Sequence, residues 1–205
     1  QGLVLRNGTC TKSPLSRACP LLEREMKPTR TIAEGSYLGL YERDGWEFAQ
    51  RPNVQGVVGI LALTPSSELV LIEQFRRPVD ASVIEIPAGL VGDEQEHLGE
   101  SPANTARREL LEETGYEAQS LELLLSTPTS AGMTPEITHL FLARGLQLVA
   151  EGGGGGNENI CVHHVPLAEV RTWLQSRQQA GALVDSKIHA ALWLAGYFDG
   201  ELGPR

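Results

Sequence analysis

Glu109, Glu112 and Glu113 stand at positions i, i+3 and i+4 of the stretch Thr105-Ala-Arg-Arg-Glu-Leu-Leu-Glu-Glu-Thr-Gly115. On a helix that spacing gathers three carboxylates on one face, with Ala106 and Leu110 on the opposite side. Like charges so placed cost a few tenths of a kcal/mol per pair. Two readings are open from these residues alone. One is an acidic face turned to water. The other is a hard-cation site, because Mg²⁺ takes oxygen ligands and is usually shared with substrate phosphates. The His163-His164 pair offers a base or a ligand, but adjacent residues of a strand point to opposite faces, so one at most can face a given site.

The elements that must position these groups are legible from pattern. Ser101 is a good helix N-cap and Pro102 suits the first helical position, where its missing N–H costs nothing. Gly115 is a fitting stop, so a helix is expected from about Ser101 to Gly115. Before it the text is β-like. Alternating residues flank Asp44-Gly45, a hairpin signal. The runs VQGVVGILALTP, ELVLIEQF and SVIEIPAG follow as strands. After the helix come LELLLSTP and ITHLFLARGLQLV, the glycine run Gly152–Gly156, then ICVHHVPL. Five glycines hold no fixed shape cheaply, so the run is expected to be a flexible tip. Two amphipathic helices, about Leu167–Gln179 and Ser186–Ala195, end the chain.

The 205 residues suit one domain with trimmings or two very small ones, and 41% hydrophobic content is enough for one sizeable core. Residues 1 to about 30 are polar, with prolines at 14, 20 and 28, and read as an irregular arm. No apolar run approaches the roughly 20 residues of a membrane span, and the first residues lack the apolar segment of a signal peptide. A net charge of −9 disfavours nucleic acid and anionic membranes as partners. A small anionic substrate remains compatible if a metal ion and a few arginines invert the local field. The three cysteines, Cys10, Cys19 and Cys161, form no metal-ligand pattern and suit a reduced, cytoplasmic protein, with a Cys10–Cys19 bridge as the rival.

Arg108-Glu109-Leu110-x-Glu112-Glu113-x-Gly115-Tyr116, with Glu100 eight residues before Arg108, resembles the core of the Nudix box, Gly-x5-Glu-x7-Arg-Glu-apolar-x-Glu-Glu-x-Gly-apolar. Upstream, Glu85-Ile86-Pro87-Ala88-Gly89 and Glu73-Gln74-Phe75-Arg76 are similar to segments of the ADP-ribose pyrophosphatase branch of that family. The likeness spans roughly residues 45 to 195. It departs between Gly89 and Glu100, where ten residues stand in place of the usual five.

The resemblance implies an α/β fold: a Nudix α/β/α sandwich with a mixed β-sheet and an N-terminal β-rich extension. It divides the chain into an arm over residues 1–50 that serves dimerisation and a hydrolase domain over 51–205. It implies Mg²⁺, with Mn²⁺ as an alternative, held by Glu109, Glu112, Glu113 and the Ala88 carbonyl. Glu100 and Arg108 would orient loop and helix, alongside Gly89 and Gly115. Substrate contacts would come from Trp46 stacking on a base, and from Arg51, Arg76 and Glu136. Ser130-Ala131-Gly132 resembles the family's Ser-Pro-Gly loop, with alanine for the proline associated with ADP-ribose preference. Gly156-Asn157-Glu158-Asn159-Ile160 resembles an acidic loop, with glycine for its first acid, which leaves Glu158 as the candidate base and Glu112 and Glu136 behind it. The implied activity is hydrolysis of a nucleoside diphosphate linked to a sugar by a homodimer, ADP-ribose first. Another sugar nucleotide, a dinucleotide such as NADH or diadenosine polyphosphate, and a non-catalytic nucleotide sensor are the alternatives.

Overall fold

The residues around Asp44-Gly45 fold as a hairpin. In the computed structural model, which describes residues 27–92, 95–154, 159–198 and 201–202, three strands make a small antiparallel sheet: β1 (Arg30–Glu34), β2 (Gly39–Arg43) and β3 (Trp46–Gln50). Asp44 and Gly45 both take left-handed φ, 55° and 78°. That two-residue turn has the twist its flanking strands need, and it sets Arg43 opposite Trp46. Cys10, Cys19 and Glu158 lie outside the described residues.

The larger sheet is built from β4 (Gly56–Leu63), β5 (Glu68–Arg76), β6 (Ala81–Glu85), β7 (Ala88–Val91), β8 (Tyr116–Pro128), β9 (Ile137–Leu148), β10 (Cys161–Pro166) and β11 (Leu183–Val184). Its order is β11-β6-β5-β4-β9-β8, with β10 on β5 and β7 on β4. β4 runs parallel to β9 and β11 parallel to β6; the other pairs are antiparallel, so the sheet is mixed. Three helices cover it: α1 (Pro102–Thr114), α2 (Val170–Gln179) and α3 (Ser186–Leu194). A short hairpin, β12 (Tyr197–Phe198) with β13 (Glu201–Leu202), follows α3.

The period-2 alternation of the strands assigns the helices to faces. Leu61, Leu63, Leu69 and Leu71 point to one side and pack with Val170, Leu174, Ile188 and Ala191 of α2 and α3. Ile60, Ala62 and Val70 point to the other and pack with Ala106 and Leu110 of α1. Two apolar layers therefore enclose the sheet, as the α/β/α expectation requires. Both strand faces being buried explains why these strands read as nearly continuous apolar runs.

The sheet also splits where the site forms. β4 pairs with β5 only at its far end, through Ala62–Val70 and Leu63–Leu69. Its near end pairs with β7 from Gly56–Val91 to Gly59–Ala88. Ile86 and Pro87 make the crossing from β6 to β7, and the Pro87 carbonyl accepts from the Ile60 N–H at 2.8 Å. This inserts Ala88 and Gly89 into the sheet beneath α1.

The α1 boundaries follow their signals. Ser101 Oγ accepts from the Asn104 N–H at 3.3 Å, Pro102 opens the helix, and Gly115 closes it with φ of 76°. The glycine run differs from expectation in its first half. Val149 and Ala150 donate to the Gly115 carbonyl, Gly153 N–H donates to the Glu113 carbonyl at 2.8 Å, and Gly154 N–H to the Glu112 carbonyl at 3.0 Å. Gly152, Gly153 and Gly154 are docked on the helix end, because helix-terminal carbonyls lack intrahelical partners and the run supplies them. A Cβ on Gly115 would fall on the Ala150 carbonyl, so the close approach needs glycine there.

Gly115 and Gly45 thus share a positive φ but not an environment, since a Cβ on Gly45 meets open space. Gly45→Ala is expected to cost only the left-handed backbone penalty, about 1–2 kcal/mol. Gly115→Ala must also displace Ala150 and is expected to cost clearly more. Urea denaturation of the two variants beside the parent checks this ordering; equal losses would mean the Ala150 segment yields freely.

Candidate active site

Glu113 is buried, 4% exposed, and its Oε2 accepts from the Ala88 N–H at 2.9 Å. A carboxylate so deep in the protein is tolerated only with hydrogen bonds to satisfy it. Glu109 lies over Gly89, where a Cβ would occupy the place of its carboxyl group. Gly89 is therefore a cradle for the Glu109 side chain, and the Ala88-Gly89 pair receives two of the three glutamates through its backbone alone.

Arg108 holds the cluster together from the side. Its Nη1 reaches Glu109 Oε1 at 2.9 Å and Glu112 Oε2 at 3.0 Å, and its Nε lies 3.5 Å from Glu100 Oε2. Glu100 in turn accepts from Thr105 Oγ1 at 2.9 Å. Burial works against the Arg108 charge, but the carboxylates of Glu109, Glu112 and Glu100 outweigh it and hold its pKa above the ordinary guanidinium value. The expected pairing of Glu100 with Arg108 is present, and the longer loop between Gly89 and Glu100 has not displaced it.

Glu85, given no role by the sequence, belongs to the same face. It is 6% exposed and accepts from Arg76 Nε at 2.8 Å and Gln74 Nε2 at 3.2 Å. Gln74 and Arg76 share a face of β5, and Ile72 faces Glu85 across the β5–β6 ladder. The signal available was an acid inside the apolar run Ser82-Val-Ile-Glu-Ile86. His163 and His164 divide as the strand rule requires. His163 Nε2 pairs with Glu73 Oε2 at 3.0 Å beside Trp173, and His164 Nε2 pairs with the Tyr116 hydroxyl at 2.9 Å.

Trp46, Arg51 and Glu136 are gathered where β3 meets the turn 130–136. Trp46 is 64% exposed, and its Nε1 donates to the Gly132 carbonyl at 3.1 Å. The Ala49 N–H donates to the Met133 carbonyl at 2.8 Å, and Arg51 pairs with Glu136. These contacts fasten β3 to the turn 130–136. Between them opens a cleft of about 200 Å³ lined by Arg43, Trp46, Phe48, Ala131, Met133 and Pro135.

The donor set suits a hard divalent cation in its chemistry. It is all oxygen, it stands at the negative end of a helix dipole, and no basic residue occupies the last turn of α1. Among the described residues no three acidic, histidine or cysteine side chains close around a point as a finished cage would. Mg²⁺ rarely uses such a cage, taking one or two carboxylates and completing its shell with water and substrate phosphate.

Comparison with known proteins agrees with the geometry. The chain is 43% identical over 138 residues to a methanol dehydrogenase activator of Bacillus methanolicus, covering 67% of this chain and 70% of that protein. It is 36% identical over 164 residues to an ADP-ribose pyrophosphatase of Bacillus subtilis (strain 168), covering 77% and 86%. A solved structure described as an ADP compounds hydrolase superposes with a TM-score of 0.62 at 19% identity, over 83% of this chain and 90% of that one, which shows the shared fold. The NUDIX domain family matches residues 54–184, from just ahead of β4 to the end of β11 and across the whole carboxylate helix. The chain belongs to the NUDIX family.

Proposed function

We propose that this protein hydrolyses the pyrophosphate bond of a nucleoside diphosphate linked to a sugar, with ADP-ribose as first substrate and AMP and ribose 5-phosphate as products. The observation that carries the reading is the set of Glu109, Glu112 and Glu113 on one helix, with Glu109 and Glu113 seated on the Ala88-Gly89 backbone and Glu112 beside Arg108. Similarity to an ADP-ribose pyrophosphatase over most of both chains supports the substrate class.

Glu109, Glu112 and Glu113, with the Ala88 carbonyl, would hold Mg²⁺, or Mn²⁺ in its place. Bound there, a divalent cation withdraws charge from the diphosphate and makes a nearby water more acidic. The chain's own groups do the rest. Arg76, anchored by Glu85, and Arg51, beside Glu136, offer forked donors for phosphate and ribose oxygens. Arg108 and Glu100 keep the carboxylate face in register with the loop. Trp46 offers an open aromatic face for the base. Glu158 takes the proton of the attacking water as its oxygen bonds to phosphorus and the bridging P–O bond breaks.

Residues 1–50 form, in this reading, an arm that joins two copies as a homodimer. Exposed apolar side chains on and beside its sheet, Ile32, Tyr37, Leu38, Leu40 and Trp46, support it. Among the described residues no helix is long and apolar enough to cross a membrane. The free thiol of Cys161 suits a reducing, cytoplasmic setting.

A panel of some ten diphosphate compounds, including ADP-ribose, other sugar nucleotides, NADH and diadenosine polyphosphates, assayed with Mg²⁺ or Mn²⁺ and resolved by chromatography, tests the class. Binding without any product would indicate a sensor instead.

Three variants and one control test the roles. Glu113→Gln keeps shape and the acceptor for Ala88 N–H while removing charge, so turnover should drop more than tenfold with the fold intact, since a metal-ion contribution is worth several kcal/mol. Glu117→Gln, beyond the helix, should be nearly neutral, and wild-type turnover in Glu113→Gln at saturating Mg²⁺ would remove the metal assignment. Trp46→Ala should raise KM for ADP-ribose at least about fivefold with a smaller change in kcat, since base stacking contributes about 1–3 kcal/mol to ground and transition states alike. An unchanged KM would make Trp46 a support for the Gly132 turn only. Glu158→Gln should lower kcat strongly while substrate and Mn²⁺ still bind; near-full activity would pass the role to Glu112 or Glu136.

A further inference from the structure

The backbone from Ala150 to Gly154 closes over the end of α1 that carries the carboxylates. Gly153 and Gly154 donate their N–H groups to the carbonyls of Glu113 and Glu112, and Ala150 donates to Gly115. The fit is one that side chains would spoil. A Cβ on Gly152, whose φ is 68°, would land on the Thr114 backbone and 2.6 Å from the Gly115 nitrogen. A Cβ on Gly115 would land on Ala150.

The last turn of α1 has reason to fray. Glu112 and Glu113 are the two residues before its last, Thr114, their carbonyls lie in the unsatisfied final four, and their charges face the negative end of the helix dipole. Arg108 compensates from the preceding turn, reaching Glu109 and Glu112. The two glycine N–H groups compensate at the end itself, on the same two residues whose side chains the proposed metal site needs.

We infer that the Ala150–Gly154 segment is a clasp that sets divalent-cation affinity, with Gly152 as a positioning residue acting through the backbone of Glu112 and Glu113. The inference rests on the metal reading of the preceding subsection. With the clasp in place the last turn stays helical and its carboxylates stay on one face, so the cation does not have to order them. Without it the turn loosens and part of the binding free energy is spent on ordering. Coupling of this kind is reciprocal, so the cation must tighten the clasp by the same factor.

Two measurements test this, both on the full chain without substrate. The first is titration of Mn²⁺ followed by the paramagnetic resonance signal of the free ion, for the parent, Gly152→Ala and Gly181→Ala. Gly181 also has a left-handed φ, 97°, but stands in open space after α2, so its variant carries backbone strain without touching α1. The expected result is at least fivefold weaker Mn²⁺ binding in Gly152→Ala and an unchanged constant in Gly181→Ala. A folded Gly152→Ala with the parent's affinity overturns the clasp. The second needs no variant and decides the matter if Gly152→Ala does not fold. Amide exchange at Gly153 and Gly154 in the parent is expected to slow on saturation with Mg²⁺, while exchange at Gly181 stays constant. Unchanged exchange at Gly153 and Gly154 overturns the inference. Failure of the parent to bind Mn²⁺ at all overturns the metal reading itself and the clasp with it.

Discussion

Three carboxylates at the negative end of a short helix are the costly feature around which this molecule is arranged. Glu109, Glu112 and Glu113 repel one another and the helix dipole at once. What offsets this comes from every neighbouring element: the Arg108 guanidinium, the Ala88 N–H from the split in the sheet, the bare Cα of Gly89, and the N–H groups of Gly153 and Gly154. A sheet with full β4–β5 pairing would leave no room for Ala88 and Gly89 under α1. The partial pairing of that strand pair is thus a condition of the site rather than a defect of the sheet.

Local rules made much of this readable beforehand. Both caps of α1 and the Asp44-Gly45 turn depend on residues near one another in sequence, and the structure agrees with each. The glycine run shows where local reading stops. Composition describes what glycine permits, and by that measure Gly152–Gly154 has no preferred shape. Its conformation is set by the end of a helix that precedes it by some forty residues, and no propensity within the run encodes that apposition. Glu85 was hidden for a related reason. An acid in an apolar strand reads as a break in pattern until Arg76 and Gln74, from the neighbouring strand, are seen to satisfy it.

The same division separates reaction class from substrate. The groups that identify the family sit on one helix and one strand end, held by short-range geometry and buried contacts, and they tolerate a ten-residue loop between Gly89 and Glu100 without losing the Glu100–Arg108 pair. Trp46, Arg51 and Glu136 sit on a small exposed sheet and a turn. They meet only because β3 is tied to residues 130–136 by Trp46–Gly132, Ala49–Met133 and Arg51–Glu136.

That tie also bears on Ala131, which lines the cleft beside Trp46 in the turn that β3 holds. Proline fixes its own φ and removes a donor, so it stiffens a turn through the chain itself. With alanine, the turn from Ser130 to Pro135 depends more on what holds it from outside. Met133 and Thr134 donate back to the Ser130 carbonyl, and β3 grips the turn at Gly132 and Met133. The width of the cleft between Trp46 and Met133 then follows from the position of the N-terminal sheet. A shift of that sheet would therefore reach this cleft through β3, while the carboxylate helix packs into its own core layer through Ala106 and Leu110.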